Sequence, residues 1–230
     1  MTTRRTTGWA AREPAQAERG AWTIEWIRFV VSPHANQEPA VPRYSDYHRT
    51  VIGYHGTKWS VAQDIVRGAA EFEPSRNDYD WLGHGIYFWE YAPQQAFLWA
   101  QQLKRSKGWT EEIAVLGSMI RLGNCLDLLD PGFAKDLKRF HEGYLDTMDQ
   151  IGEKPPPNIR QKRLNCAVFN FAYQTAEEEG DPIDSCRAVF VPTADRLWDA
   201  SGINPQAHVQ ICVREPNCIL GTWWVKPREE

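Results

Sequence analysis

A chain of 230 residues is long enough for one well-packed domain with decorations and short for two full-sized domains side by side. Hydrophobic residues at 42% and charged residues at 24% exclude collagen-like, coiled-coil and wholly disordered classes. With 26 basic and 30 acidic residues the net charge is −4, so the overall field does not draw anionic partners, and a nucleic-acid contact needs a local basic patch.

Residues 1–20 are polar, without a sustained apolar period, and read as a mobile tail ahead of a single domain over 21–230. Arg4 and Arg5 are followed by Thr7-Gly8-Trp9-Ala10-Ala11-Arg12-Glu13-Pro14, not by an apolar core with a small-residue cleavage site, so the expected location is the cytoplasm. No run is long and apolar enough to suggest a membrane span. The five cysteines (Cys125, Cys166, Cys186, Cys212, Cys218) are widely spaced, with no C-x-x-C pair, and read as reduced thiols. From Trp22 to Val31 the apolar positions fit a strand or a buried helix, and Pro33, Pro39 and Pro42 then impose a loop.

Thr50 to Tyr54 is a β-branched and aromatic run that predicts a strand. Val61, Ile65 and Val66 follow at helical spacing, with Gly68 as the stop. Gly85-Ile86-Tyr87-Phe88-Trp89 predicts a second strand leading into a helix, with Pro93 near its first turn and Ala96, Trp99, Ala100 and Leu103 on one face. Ala114 to Leu129 holds two apolar runs split by Gly117 and Gly123, a strand pattern. Phe133, Leu137, Phe140, Tyr144, Met148 and Ile151 then keep a three-to-four spacing until Pro155-Pro156-Pro157 breaks it. A second helical pattern runs through Leu164, Val168, Phe171 and Thr175 to Gly180, so 132–179 is expected to be a helical hairpin inserted between strands. Arg187 to Val191, Val209 to Val213 and Cys218 to Val225 are three further strands. The fold class expected is α+β.

Taken alone, Tyr54-His55-Gly56-Thr57 reads as a turn in which Gly56 takes φ > 0, with His55 satisfied nearby. Trp81-Leu82-Gly83-His84-Gly85-Ile86-Tyr87-Phe88 likewise reads as a glycine-rich loop closing onto a buried aromatic strand. Together and in this order, the two motifs resemble the ADP-ribosyltransferases of the poly(ADP-ribose) polymerase and diphtheria-toxin-like branch. That resemblance implies a split antiparallel β-sheet whose signature residues His, Tyr and Glu stand on three separate strands.

Mapped residue by residue, the resemblance makes His55, Tyr87 and Gln210 the expected catalytic set, with NAD as co-substrate and no metal. The family histidine bonds the adenosine ribose, which implies that role for His55. The glycine backbone holds the nicotinamide carboxamide, implying Gly56 as the clamp, between Tyr54 and the small hydroxyl of Thr57. The family tyrosine packs against the nicotinamide ring, implying Tyr87, with Gly85 ahead of it. Tyr79 or Trp81, in the loop Asn77 to Leu82, would cover the dinucleotide, although Trp81 serves equally as core. In the third position His208-Val209-Gln210-Ile211-Cys212-Val213 carries glutamine where the family carries glutamate. A glutamine keeps a hydrogen bond to the ribose 2′-hydroxyl but supplies neither full negative charge nor a base, which argues against chain elongation. Glu90 and Glu215 are the nearest carboxylates in sequence, and both read as solvated surface acids.

The activity implied is transfer of mono-ADP-ribose to a macromolecule, protein or nucleic acid, as in a toxin or defence effector with an antitoxin or immunity partner. NAD hydrolysis and non-catalytic NAD or ADP-ribose binding would share the same cleft. Seven basic residues (Lys135, Lys138, Arg139, Lys154, Arg160, Lys162, Arg163) face five acids over 135–163. They read as a solvated helical face with internal pairs unless they cluster in space.

Overall fold

A computed structural model of the chain describes residues 49–159, 161–192 and 196–225. The expected tail, the Trp22–Val31 element and the proline loop lie outside the described residues, as does Arg160. The first described strand, β1, covers Thr50–Lys58, four residues beyond the expected end at Tyr54. His55-Gly56-Thr57 therefore sits inside a strand and not in a turn, and Gly56 is not among the positive-φ glycines. What Gly56 needs is space: a Cβ there would lie 2.1 Å from the Ala96 carbonyl oxygen.

Helix α1 (Trp59–Val66) follows β1 directly and buries Ala62 rather than the expected Val61. Gly68, at φ 72°, lies just past its end. Strand β2 (Ile86–Glu90) leads into α2 (Pro93–Lys107), which carries Pro93 in its first turn and places Ala96 and Ala100 against β1. Gly108 ends α2 at φ 65°, after Lys104, Arg105 and Lys107, whose charges suit the helix C-terminus. Strands β3 (Ile113–Arg121) and β4 (Cys125–Asp127) take the two apolar runs divided at Gly123.

Helix α3 (Pro131–Gln150) starts on Asp130, whose side chain accepts from the Gly132 N–H, and α4 (Arg163–Glu178) returns alongside it, Tyr144 meeting Phe171 at 5.8 Å. The expected face of α4 is the one turned to α3. A second face, Cys166, Phe169, Ala172, Tyr173 and Ala176, is more deeply buried. Phe169 and Tyr173 join Leu82, Leu126, Cys186 and Cys212 in one core cluster, so α4 is part of the main core rather than an appendage. Strands β5 (Ser185–Phe190), β6 (His208–Val213) and β7 (Ile219–Trp224) complete the fold, a short 3₁₀ turn preceding β7.

The seven strands of the described residues form one sheet in the order β4-β5-β6-β2-β1-β3-β7. Every neighbouring pair is antiparallel except β4 with β5, so the α3–α4 hairpin is the crossover that a parallel pair requires. The α+β class holds, with a mostly antiparallel open sheet. That sheet is continuous but has one narrow joint. β1 and β2 share only Gly53↔Glu90 and Tyr54↔Trp89, whereas β1 pairs with β3 along all nine residues from Thr50 to Lys58. No described helix is long and apolar enough to cross a membrane.

Candidate functional site

The site is built around that joint. The Tyr91 N–H donates to the Ile52 carbonyl, so Ile52 turns its backbone groups toward β2, and every second residue of β1 does the same. Tyr54 makes the last pair, with Trp89. Gly56 therefore directs its N–H and C=O to the β2 side past the end of the ladder. In a continued ladder, Gly56 would oppose Tyr87. Instead the Tyr87 carbonyl lies 2.8 Å from His55 Nδ1.

A carbonyl only accepts, so Nδ1 carries the proton and the neutral ring leaves Nε2 as an acceptor. Burial lowers the His55 pKa below the usual 6.5, which keeps the ring neutral, while the Tyr87 carbonyl opposes that shift. The ring meets the edge of Phe72 at 5.2 Å and Phe88 at 5.7 Å. Past the joint the strands separate enough for another segment to reach β2, the backbone of Ser75 bridging Gly85. A histidine side chain thus replaces one rung of the sheet and holds the seam beside Gly56.

Around this seam the expected residues divide between the two sides of the sheet. By strand alternation His55 and Thr57 project on the α1 side, with Phe88, Leu116 and Ala114. Tyr54, Tyr87 and Gln210 project on the α2 and α4 side. Tyr54 packs with Trp89, Ala96 and Val115. Tyr87 packs against the cluster of Leu82, Tyr173 and Cys212, and its hydroxyl donates to the Gly83 carbonyl at 2.7 Å while accepting from the Leu82 N–H at 3.0 Å. Burial raises the Tyr87 pKa far above the usual phenol value, so the hydroxyl keeps its proton and pins the 82–83 turn. Gly83 holds φ 78° in that turn. Gly85 is explained by packing, since a Cβ there would meet Cys212 Sγ at 2.5 Å.

Strands β1, β2 and β6 are consecutive in the sheet, which brings Tyr54, Tyr87 and Gln210 onto neighbouring strands, Gln210 opposite Trp89. Two strand spacings of about 4.8 Å separate β1 from β6. Trp81 donates from Nε1 to Gln210 Oε1 at 2.6 Å and meets Phe190 edge-on at 5.2 Å, so it belongs both to the packed wall and to the polar site. Tyr79 is 42% exposed, in a turn closed by Asp80, which accepts from the Asn77 backbone N–H.

Neither alternative carboxylate stands free beside Gln210. Glu90 is bound in bidentate fashion by Arg187 on the opposite side of the sheet, and is thus a buried ion-pair partner where sequence suggested a solvated acid. Glu215 accepts from the Asn217 N–H at the start of the 3₁₀ turn. Three of the hairpin's basic residues are ion-paired: Lys138 with Glu142 and Arg139 with Asp136 along α3, and Arg163 with Asp78 across to the 77–82 loop.

Sequence reasoning missed His208. Its Nδ1 lies 2.7 Å from the Gln206 carbonyl, its Nε2 lies 3.1 Å from Gln210 Nε2, and its ring stacks on Phe190. The signal was present as the i, i+2 spacing of His208 and Gln210 on one strand face. No family model, curated protein or solved structure matches the chain.

Proposed function

We propose that the chain is an NAD-dependent mono-ADP-ribosyltransferase that breaks the bond between nicotinamide and ribose and passes ADP-ribose to a macromolecule. The observation that supports this reading best is the interrupted ladder: Gly56 turns a backbone donor and acceptor toward the β2 side beyond the last pair, and the Tyr87 carbonyl that would have met it is taken by His55. A planar carboxamide needs such a pair of backbone groups. In this reading the seam corresponds to the split of the family sheet and the dinucleotide runs across it, His55 Nε2 accepting from an adenosine-ribose hydroxyl on the α1 side and Tyr87 flanking the nicotinamide on the other. Gln210 Oε1 accepts from the nicotinamide-ribose 2′-hydroxyl. As the C1′–N bond breaks, nicotinamide leaves with the electron pair; an acceptor nucleophile then bonds C1′ and releases its proton. An amide at Gln210 steadies the cationic sugar less than a carboxylate would and takes no proton, so the acceptor must be nucleophilic in its own right.

A second reading, non-catalytic binding of NAD or ADP-ribose, is favoured by one observation. Among the described residues near Gln210, its hydrogen-bond partners are an indole and an imidazole and include no carboxylate. The separating experiment incubates the protein with labelled NAD, with and without protein, RNA and DNA pools, and follows free nicotinamide and product masses. Label on one pool supports transfer, and nicotinamide with free ADP-ribose and no labelled pool means hydrolysis. NAD binding without release selects the binding reading, and a protein that neither binds nor cleaves NAD refutes both. His55→Ala is expected to lower turnover or NAD binding on the order of 10²-fold while the protein stays folded.

A further inference from the structure

Gln210 sits in a chain of hydrogen bonds whose direction is fixed throughout. The Gln206 carbonyl only accepts, so His208 Nδ1 carries the proton and His208 Nε2 is an acceptor. Gln210 Nε2 must then be the donor in the contact between them. That leaves Gln210 Oε1 to accept from the Trp81 indole, which can only donate. Rotating the amide by half a turn would set its NH₂ against the indole N–H and its oxygen against the His208 lone pair, so both contacts would fail together.

This matters because the terminal torsion of a glutamine is broad and roughly two-fold. An unrestrained amide would present NH₂ to a ligand about as often as oxygen, and a donor facing a developing sugar cation opposes it. A carboxylate has no such wrong orientation. We propose that Trp81 and His208 are positioning residues that lock the Gln210 carboxamide with its oxygen toward the 77–82 loop, supplying by orientation part of what a glutamate has by symmetry. The inference rests on the proposed function. Trp81 takes one lone pair of Oε1 and leaves the second for a hydroxyl.

Acid should break the lock. A proton on His208 Nε2 turns that acceptor into a donor facing the Gln210 NH₂, and the flip that would satisfy His208 leaves Trp81 opposed. Burial lowers the His208 pKa from 6.5, with the Gln206 carbonyl partly offsetting it. The groups around the imidazole are Phe190 from β5 and Trp89 from β2, both uncharged. Titratable groups on that side of the sheet include Tyr87, Tyr173, Cys186 and Cys212, which burial keeps protonated, Tyr54 beside Trp89, and Asp80 beside Trp81, bonded to Asn77.

The test has two arms. In the first, the Trp81 indole N–H resonance, assigned by its loss in Trp81→Phe, is followed by NMR with the His208 ring from pH 8 to pH 5. The indole signal is expected to shift with the His208 midpoint, and to lose that dependence in His208→Phe, which keeps a ring on Phe190. An indole signal indifferent to His208 overturns the lock whether or not the protein turns over NAD. In the second arm, nicotinamide release is measured for Trp81→Phe and for Trp81→Phe with Gln210→Glu. The single variant is expected to lose about tenfold or more in kcat with KM changed less than threefold, and the added carboxylate to restore most of it. A single variant as fast as the parent, or no rescue in a folded double variant, overturns the inference. A parent that releases no nicotinamide defeats the transferase reading instead, and the NMR arm then decides the lock alone.

Discussion

His55 donates through Nδ1 and, under the proposed function, accepts through Nε2, and its protonation state links the two. With Nδ1–H given to Tyr87 and the ring packed between Phe72 and Phe88, the cationic form has lost its water without gaining a carboxylate. The folded pKa is lowered, so the unfolded chain binds this proton more readily than the folded one. Stability is then unaffected above pH 6.5, falls as pH drops below 6.5, and levels off once pH is below the folded pKa. Within that window the slope from one such group approaches about 1.4 kcal/mol per pH unit. Urea unfolding at pH 7.5, 6.0 and 5.0 is expected to show this loss in the parent and a shallower one in His55→Gln. Equal slopes in the two proteins would mean that His55 titrates as freely folded as unfolded.

At the scale of elements, α4 connects the hairpin to the site. Tyr173 donates to the Leu82 carbonyl at 2.5 Å, the Asn170 side chain accepts from the His84 N–H, and the Arg214 guanidinium lies 4.4 Å over the Tyr173 ring. These contacts hold the turn from which Trp81 and Tyr87 extend. Tyr173→Phe keeps the ring but strands the Leu82 carbonyl, so a destabilisation of about 1–3 kcal/mol is expected, readable as a lower urea midpoint at unchanged slope. No change would mean that water reaches Leu82. The helices themselves were legible from the switch in apolar period and from Pro93, Pro155 and Gly180, because capping and periodicity are local signals. The deeper face of α4 was not: Cys166, Ala172 and Ala176 are small, and Leu164, Val168, Phe171 and Thr175 dominate the pattern while facing α3. The last four residues of β1 were misread for a related reason. Glycine marks a turn in isolation, whereas Gly56 is small because the α2 backbone passes over it.

Over the whole molecule, the side of the sheet opposite Gln210 is tied together by charge. Arg187 on β5 binds Glu90 of β2 and Asp127 of β4, and Arg49 also reaches Asp127. Glu90 and Asp127 have side chains only 8% and 5% exposed, so Arg187→Met would leave buried charge and is expected to cost roughly 3–5 kcal/mol by chemical denaturation. Arg187→Met with Glu90→Leu should recover part of that loss; no recovery would locate the cost in packing. This network joins strands far apart in sequence, and such pairings leave no local trace, which is why the strands were legible and most of their order was not. The order itself has a consequence for biosynthesis. Strand β6 lies between β5 and β2, so until His208–Val213 has left the ribosome the β4–β5 pair and the β2-β1-β3 group have no strand to join them. A ribosome adding about 5–20 residues per second makes β1, β2 and the seam between them well over a hundred residues before it reaches Gln210. Under the proposed function, the nascent chain would hold a formed seam without its third residue, and its chemistry would wait until β6 docks into the middle of the sheet.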